Sequence, residues 1–491
     1  MLLLLALLSP VAGALLCLLV RGRRPATVIS SVSTSVSLAM LLAAALPVVS
    51  GGAYVERYPW PPLQTAGLRL DGLSVTFALV IAAVSVAVSV YSSTYMQARF
   101  GSMGRERWSA YYFLMLTFVS GMLGTVLATN IIEFYIFFEA MLIPSYFLIA
   151  EFGHGGRDGA SFSYFMWTHI GALVMLAGLI ALVYSTDTLS ISAAASRAGF
   201  VPGVVQLFIA AAITGGLMVK MAGFGLHAWL PAAYTEAPAP VSALLSSSMS
   251  GIAGYAIIRL VALSLPTGFS YVAPWLLVWG AVSLAYGGLM ALAQDDFKLL
   301  LSYSSISQMG YMAVGIGSFT SFGMAGAVAL YAANGFGKAA LFMAAGILSV
   351  ALGRRSMSTM GGLAGRLPRT STFSLIAFLT MMGVPPTVGF VAEFFIFQGA
   401  FASAVAAGSG TMLAVAFVAL LGTMLTAAYS LLSVKKVFFG PLAAENGQVS
   451  EAPAKLVLPM AALCVASVAL GILPVLFGAS LSFIRLVLGG S

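Results

Sequence analysis

Apolar runs of about twenty residues, separated by short polar breaks, fill the chain from end to end. Each is long enough to cross a bilayer core as a helix, which takes about 20 residues. The pattern predicts spans near 1–20, 27–49, 71–95, 109–128, 130–150, 163–184, 204–235, 238–262, 271–293, 300–317, 322–350, 373–400, 410–434 and 456–485. Two of these, 204–235 and 373–400, are overlong and interrupted. In the first, Pro231 lies within "MAGFGLHAWLPAAYTEAP"; in the second, "MMGVPPTVGFVAEFF" holds Pro385, Pro386 and Gly389. Proline removes a backbone donor and clashes with the preceding turn, so both spans are expected to be broken helices. The fold class this predicts is an all-α polytopic membrane protein of about fourteen transmembrane helices.

Composition agrees. Hydrophobic residues make up 60% of the 491 positions and charged residues 7%, whereas soluble proteins carry about 25% charged residues. The first run is apolar from residue 2 and has no basic leader, so it reads as a span rather than a cleaved signal. Cys17 and Cys464 lie inside apolar runs, which points to neither a disulfide framework nor a metal site. No nucleotide loop or nucleophile motif occurs, so no cofactor is expected. Most of the net charge of +8 is an orientation signal and implies no nucleic-acid partner.

With fourteen spans, both termini fall on one side. The opposite loops hold fifteen basic residues, among them Arg21, Arg105, Lys298, Arg355, Lys435 and Lys455. The terminus side holds five: Arg57, Arg69, Arg197, Arg259 and Arg485. The positive-inside rule then places both termini on the non-cytoplasmic side of the cytoplasmic (inner) membrane. The expected blocks are an N-terminal group of helices (1–100), two five-span blocks (109–262 and 271–434) and a C-terminal loop and helix (435–491).

Against this background, ionisable residues inside spans stand out, because a charge at mid-membrane costs about 2.5–3.5 kcal/mol on insertion scales. Four qualify: Glu139, Lys220, Lys338 and Glu393. One reading makes them ion pairs that fix helix packing. The other makes them a proton relay, favoured because they lie in separate spans and two of them accompany the helix breaks. Broken helices in two halves are a pointer to an ion site. Glu139 is expected to pair with Lys220 and to release it. His227, beside the first break, is a candidate bridge from Lys220 towards Lys338, or a group bonding a freed carbonyl. Glu133, near a span start, is evenly balanced between structure and function. His154 reads as loop surface, His169 as packing, Asp295 and Asp296 as solvated caps, and the run Ser302–Gln308 as a wet helix end.

Several of these segments are similar to one family. "FFEAMLIPSYFLI", "LHAWLPAAYTEAPAPVSALL", "FKLLLSYSSISQMGY", "GFVAEFFIFQGAF" and "LDGLSVTF" resemble the antiporter-like subunits of respiratory complex I, over about residues 70–440. Glu393, where other members carry a lysine, makes the M-type the nearest likeness. The resemblance implies two inverted five-helix repeats, each with a broken helix, and a proton channel through Glu139, Lys220 and Glu393. It implies no redox centre of its own. The partners would be further antiporter-like membrane-arm subunits, redox subunits of the same complex, and lipid. Two departures matter. The lysine usual after the first broken helix is replaced by Gly251, and the mid-chain histidines by Gln308 and Asn334. Lys338 follows instead the L-type, Mrp-type and hydrogenase-associated pattern. The expected function is a proton-translocating subunit of a redox-driven quinone oxidoreductase. The alternatives are a subunit of an Mrp-type sodium/proton antiporter or membrane-bound hydrogenase, and a structural anchor with a dead channel.

Overall fold

The computed structural model describes residues 1–60, 64–442, 446 and 449–488. Among them, thirteen helices are long and apolar enough to cross a membrane. A further helix, Phe297–Gly317, has 21 residues and coincides with the predicted span 300–317. Its serines lower its hydropathy, but it is enclosed by protein along almost its whole length. This corrects the expectation for Ser302–Gln308, which is not a wet helix end. Its Ser302, Ser304, Ser305 and Ser307 all lie in the interior.

Both overlong spans are broken as expected. The first divides into Gly203–Met221 and Trp229–Glu236. The second divides into Pro368–Met381 and Val388–Ala406. The last predicted span is also split, into Ala454–Ile472 and Val475–Val487.

Two helices form the centre. Ser321–Leu352 is buried along nearly all its length and packs against Ser74–Met103, Phe297–Gly317, Val388–Ala406 and Ala454–Ile472. The segment Ala239–Ala262 is buried except at Arg259 and contains two π-helical stretches, Leu245–Met249 and Ile257–Ala262. Such widened turns shift the register of side chains and are frequent at functional sites. Helices close on one another through small residues: a Cβ on Gly280 would lie 2.8 Å from the Gly310 carbonyl of the facing helix. Close backbone approach of this kind replaces the hydrophobic drive that lipid cannot supply.

An element absent from the apolar pattern is a β-hairpin, Tyr54–Trp60 with Gln64–Leu70, paired antiparallel from Tyr54↔Leu70 to Trp60↔Gln64. It gathers one end of the bundle. The N-terminal ammonium meets the Glu56 carboxylate at 2.7 Å. Near the C-terminus, the Ser480 hydroxyl donates to the Gly72 carbonyl at 2.7 Å, just beyond the hairpin. The N-terminus and the last described helix therefore meet the hairpin end of the bundle. Glu133 belongs to this fastening: its carboxylate accepts from Gly67 N–H at 3.0 Å and Asn130 N–H at 3.2 Å. Asn130 in turn caps the Ile131–Ala140 helix by accepting from Ile132 N–H at 2.8 Å. The geometry of Glu133 is thus structural, that of a capping residue.

Candidate functional site

Lys220 is in the last turn of Gly203–Met221, where carbonyl groups without helical partners favour a cation. It is 2% exposed. Its ammonium lies over the Phe138 ring, 4.6 Å from the centroid. The chain then turns through Ala222, at φ +54°, into the break. Neighbouring side chains fasten the freed backbone. Ser283 accepts from Phe224 N–H at 2.9 Å, Trp279 donates to the Phe224 carbonyl at 2.9 Å, and Trp229 donates to the Val219 carbonyl at 3.1 Å.

Glu139 follows Phe138 but does not form the expected ion pair with Lys220. Its Oε2 meets His169 Nδ1 at 3.2 Å, and its Oε1 is buried without a hydrogen-bond partner. The two side chains are 22% and 38% exposed, so this pair reaches the flank of the bundle. His169 is thus a partner of the acid, beyond the packing role read for it. His227 lies within the break and bonds Tyr286 Oη through Nε2 at 2.9 Å, while its Nδ1 is buried and unpartnered. It makes no direct hydrogen bond to Lys220 or Lys338.

Hydroxyl pairs line the first half, and one seam reaches the second. Tyr164 Oη and Ser145 Oγ lie 2.7 Å apart, and Tyr234 Oη and Ser250 Oγ 2.5 Å apart. Ser246, in the first π-helical stretch, shares a 2.9 Å hydrogen bond with Ser305, and its carbonyl accepts from Asn334 Nδ2 at 2.9 Å. The serines of "LSSSMSG" were visible in the sequence. Tyr164 and Tyr234 were not, because a tyrosine in an apolar run carries no signal of which way its hydroxyl points. Gly251 sits against Tyr331: a Cβ there would fall inside contact distance of the ring. The aromatic ring occupies the space that a lysine at this position would need.

In the second half, Lys338 is completely buried on Ser321–Leu352. Its ammonium donates to the Leu301 carbonyl at 2.9 Å and to Ser304 Oγ. Glu393, 8% exposed, lies one turn into Val388–Ala406, and its carboxylate covers Gly383 in the break. Gly383 has φ +64°, and a Cβ would come within 2.5 Å of Glu393 Oε2, so only glycine fits. Between Lys338 and Glu393 lie Gln308, Tyr311, Thr426 and Tyr429. Gln308 donates to the Met381 carbonyl at 3.3 Å, and Tyr311 Oη meets Thr426 Oγ1 at 3.2 Å. Tyr429 Oη lies against Thr426, Gln308 and Ser304, while Asn334 Oδ1 and Ser430 Oγ are buried without partners. Such atoms are rare in native interiors and mark places that need a mobile polar partner.

At the end of the bundle away from the hairpin, Lys298 is buried. Its ammonium donates to the Thr235 carbonyl at 3.0 Å and to the Ala237 carbonyl, and Arg355 donates to the Thr235 carbonyl at 3.1 Å. These cations cap the second half of the first broken helix. His154 is not plain surface: its backbone N–H donates to the Glu236 carbonyl at 2.8 Å, and its Nδ1 lies 3.0 Å from the same oxygen. Burial, then the nearby Lys298, pushes its pKa from 6.5 down to about 4. Asp296 accepts from Lys298 and Leu299 N–H, and Asp295 holds Ser358 N–H at 3.0 Å, both as caps.

Comparison with known proteins places this arrangement. Residues 128–422 match the family described as "NADH:quinone oxidoreductase/Mrp antiporter, TM". Residues 64–105 match "NADH-Ubiquinone oxidoreductase (complex I), chain 5 N-terminus". The chain is 30% identical over 435 residues to F(420)H(2) dehydrogenase subunit M of Methanosarcina mazei, covering 86% of this chain and 84% of that one. It is 32% identical over 394 residues to an NAD(P)H-quinone oxidoreductase chain 4 of Synechococcus, covering 78% and 72%. A chain of respiratory complex I from Thermus thermophilus superposes with a TM-score of 0.87 at 27% identity, covering 99% of this chain and 100% of that one. A chain of the Mrp complex from Dietzia shares the fold, with a TM-score of 0.86 at 22% identity over 99% of each.

Proposed function

The chain belongs to the NADH:quinone oxidoreductase/Mrp antiporter transmembrane family, and on that premise we propose that it is a proton-translocating, antiporter-like subunit of a complex I-like oxidoreductase. Electron transfer occurs in other subunits; this one moves protons. The observation that carries this reading is the row of ionisable groups buried beside two broken helices: Lys220 at the first, Lys338 between them and Glu393 at the second. The hydroxyl of Ser304, which Lys338 bonds, lies against Tyr429, which in turn meets Gln308 and Thr426.

Protons enter from the cytoplasm near the first broken helix and reach Lys220. They cross by His227 and the Ser246–Asn334 seam to Lys338, and leave through Glu393. Glu139 is the control group. It alternates between the His169 pair and Lys220, whose ammonium it keeps charged when near. Its position at the flank supports coupling to a neighbouring membrane-arm subunit. Segments 109–262 and 271–434 are the two half-channels, arranged as inverted repeats. The chain sits in the cytoplasmic membrane with both termini outside, alongside further antiporter-like subunits and the redox subunits.

The test is proton uptake by vesicles holding the intact complex in sodium-free buffer, with Lys220→Ala against the native chain. Uptake lost in the variant, with the complex assembled, is the expected result. Equal uptake by both would make the subunit a scaffold. A second reading, sodium transport as in Mrp-type relatives, is favoured by Gly251, where Tyr331 leaves no room for the usual lysine. Native uptake appearing only on addition of sodium would select it.

A further inference from the structure

At the hairpin end, where several helices terminate together, loops enclose a cavity of about 490 Å³. Arg57, Arg69 and Arg259 line it. The loops and helix ends read as this side of the bundle hold only five basic residues, and three of them converge here. That convergence is unusual on a side otherwise depleted of positive charge.

Asp71 is the counter-ion. It accepts from Arg69 Nε at 2.8 Å and Arg259 Nη2 at 2.6 Å, and also from Leu73 and Ser74 N–H at 3.1 Å. Its charge cannot neutralise three guanidinium groups. Of the other nearby acids, Glu56 pairs with the N-terminus, Glu133 accepts from the Gly67 and Asn130 N–H groups, and Asp187, next to Thr188 of the wall, has Arg197 on its backbone carbonyl. Arg259 is held in place between the rings of Tyr255 and Phe483, 5.5 and 5.4 Å from their centroids. Ser190 and Ser192 contribute hydroxyls to the opposite wall. Thr129, Asn130, Thr188 and Ser264 add further polar groups, and the last helix contributes an outward apolar edge: Leu486 is 81% exposed and Val487 43%. A cavity with surplus arginine charge on one side and outward apolar surface on the other matches one ligand chemistry, a phosphate diester carrying hydrocarbon chains.

We propose that this cavity binds the headgroup of an anionic phospholipid, with Arg57 and Arg69 on the phosphate and Leu486 and Val487 against the acyl chains. Its depth, at the helix ends, is that of lipid headgroups. Arginine suits the task because its planar fork pairs with phosphate oxygens two at a time. The site is separate from the proton relay and does not depend on it.

The experiment uses the intact complex, delipidated in detergent and titrated calorimetrically with dioctanoyl phosphatidylglycerol, dioctanoyl phosphatidylcholine and inorganic phosphate. Arg57 is exposed, so Arg57→Gln leaves folding intact. The native chain should prefer phosphatidylglycerol over phosphatidylcholine. Arg57→Gln and Arg69→Gln should each weaken that binding about fivefold, the worth of one basic side chain at an anionic surface. Leu486→Gln should weaken the lipid and leave phosphate binding unchanged. Identical titrations for the native chain and both arginine variants would overturn the proposal. Phosphate binding that falls in the arginine variants, without any selective lipid binding, would assign the site to free phosphate and overturn the lipid.

Discussion

At the first break, neighbouring side chains hold the freed backbone: Ser283, Trp279 and Trp229 each bond a group beside it. Both breaks also close with backbone turns, Leu226 N–H to the Gly223 carbonyl at the first, and at the second the backbone carries most of the closure. Val384 N–H reaches the Leu379 carbonyl at 3.1 Å, Thr387 N–H reaches the Val384 carbonyl at 3.0 Å, and Gln308 holds Met381 from outside. The acids differ in the same sense. Glu139 is at the flank, paired with a histidine. Glu393 is inside, over a glycine. On the function proposed above, the first half responds to a neighbour beside it and the second passes a charge through an enclosed space.

The comparison breaks most sharply at Lys338. Lys338→Met should cut coupled proton uptake by about a hundredfold, the scale of removing a positioned proton-transfer group. Thermal stability should not fall, because replacing a buried charge by an apolar chain is often neutral or stabilising. A lower melting point with uptake intact would make Lys338 a packing pin. Glu139→Gln sharpens the contrast. Uptake should fall, yet stability should change by less than about 1 kcal/mol, because the His169 pair is partly exposed. Wild-type uptake in Glu139→Gln would remove the control role.

Gly251 tests the boundary between the halves. Gly251→Ala pushes a methyl into the Tyr331 ring and should destabilise by about 1–3 kcal/mol, the usual cost of overpacking. Unfolding in denaturant would measure it. A neutral result would mean that Tyr331 moves aside, and that a lysine there would be tolerated. Glu133→Ala, by contrast, strips acceptors from the Gly67 and Asn130 N–H groups and should cost about 1–3 kcal/mol without altering uptake. Lost uptake at full stability would return Glu133 to the relay.

The charged positions were legible because a lysine or glutamate inside twenty apolar residues has no neighbour in sequence to explain it. The breaks were legible because Pro385 and Pro386 fall in the second break, and Pro231 sits in the first turn of Trp229–Glu236, where a missing backbone donor costs least. The partners were not. Glu139 faces His169, thirty residues on, and only the packing of two helices decides that it meets this ring rather than Lys220. The serine run 302–308 was misplaced for a similar reason: hydropathy assigned it to water, whereas neighbouring helices enclose it. The hairpin was missed because its residues, such as Glu56, Arg57, Gln64 and Arg69, read as a polar loop between spans. Pairing across strands makes it an element, and Glu133 then fastens it.

The smallest expected effect lies at the loop that touches the first half from outside the membrane. Partly buried His154 has its pKa pushed down to about 4 from an ordinary 6.5. Between these values the unfolded chain binds a proton that the folded chain does not, so stability falls as pH drops through that window and levels off below it. Here His154 couples the loop to the Glu236 carbonyl, at the end of the half-helix that Lys298 and Arg355 also cap. His154→Gln should therefore flatten the pH dependence of the melting temperature between about pH 6.5 and 4, leaving the rest of the profile unchanged. The same slope in both proteins would mean that the histidine is solvated and that the half-helix is held by its cations alone.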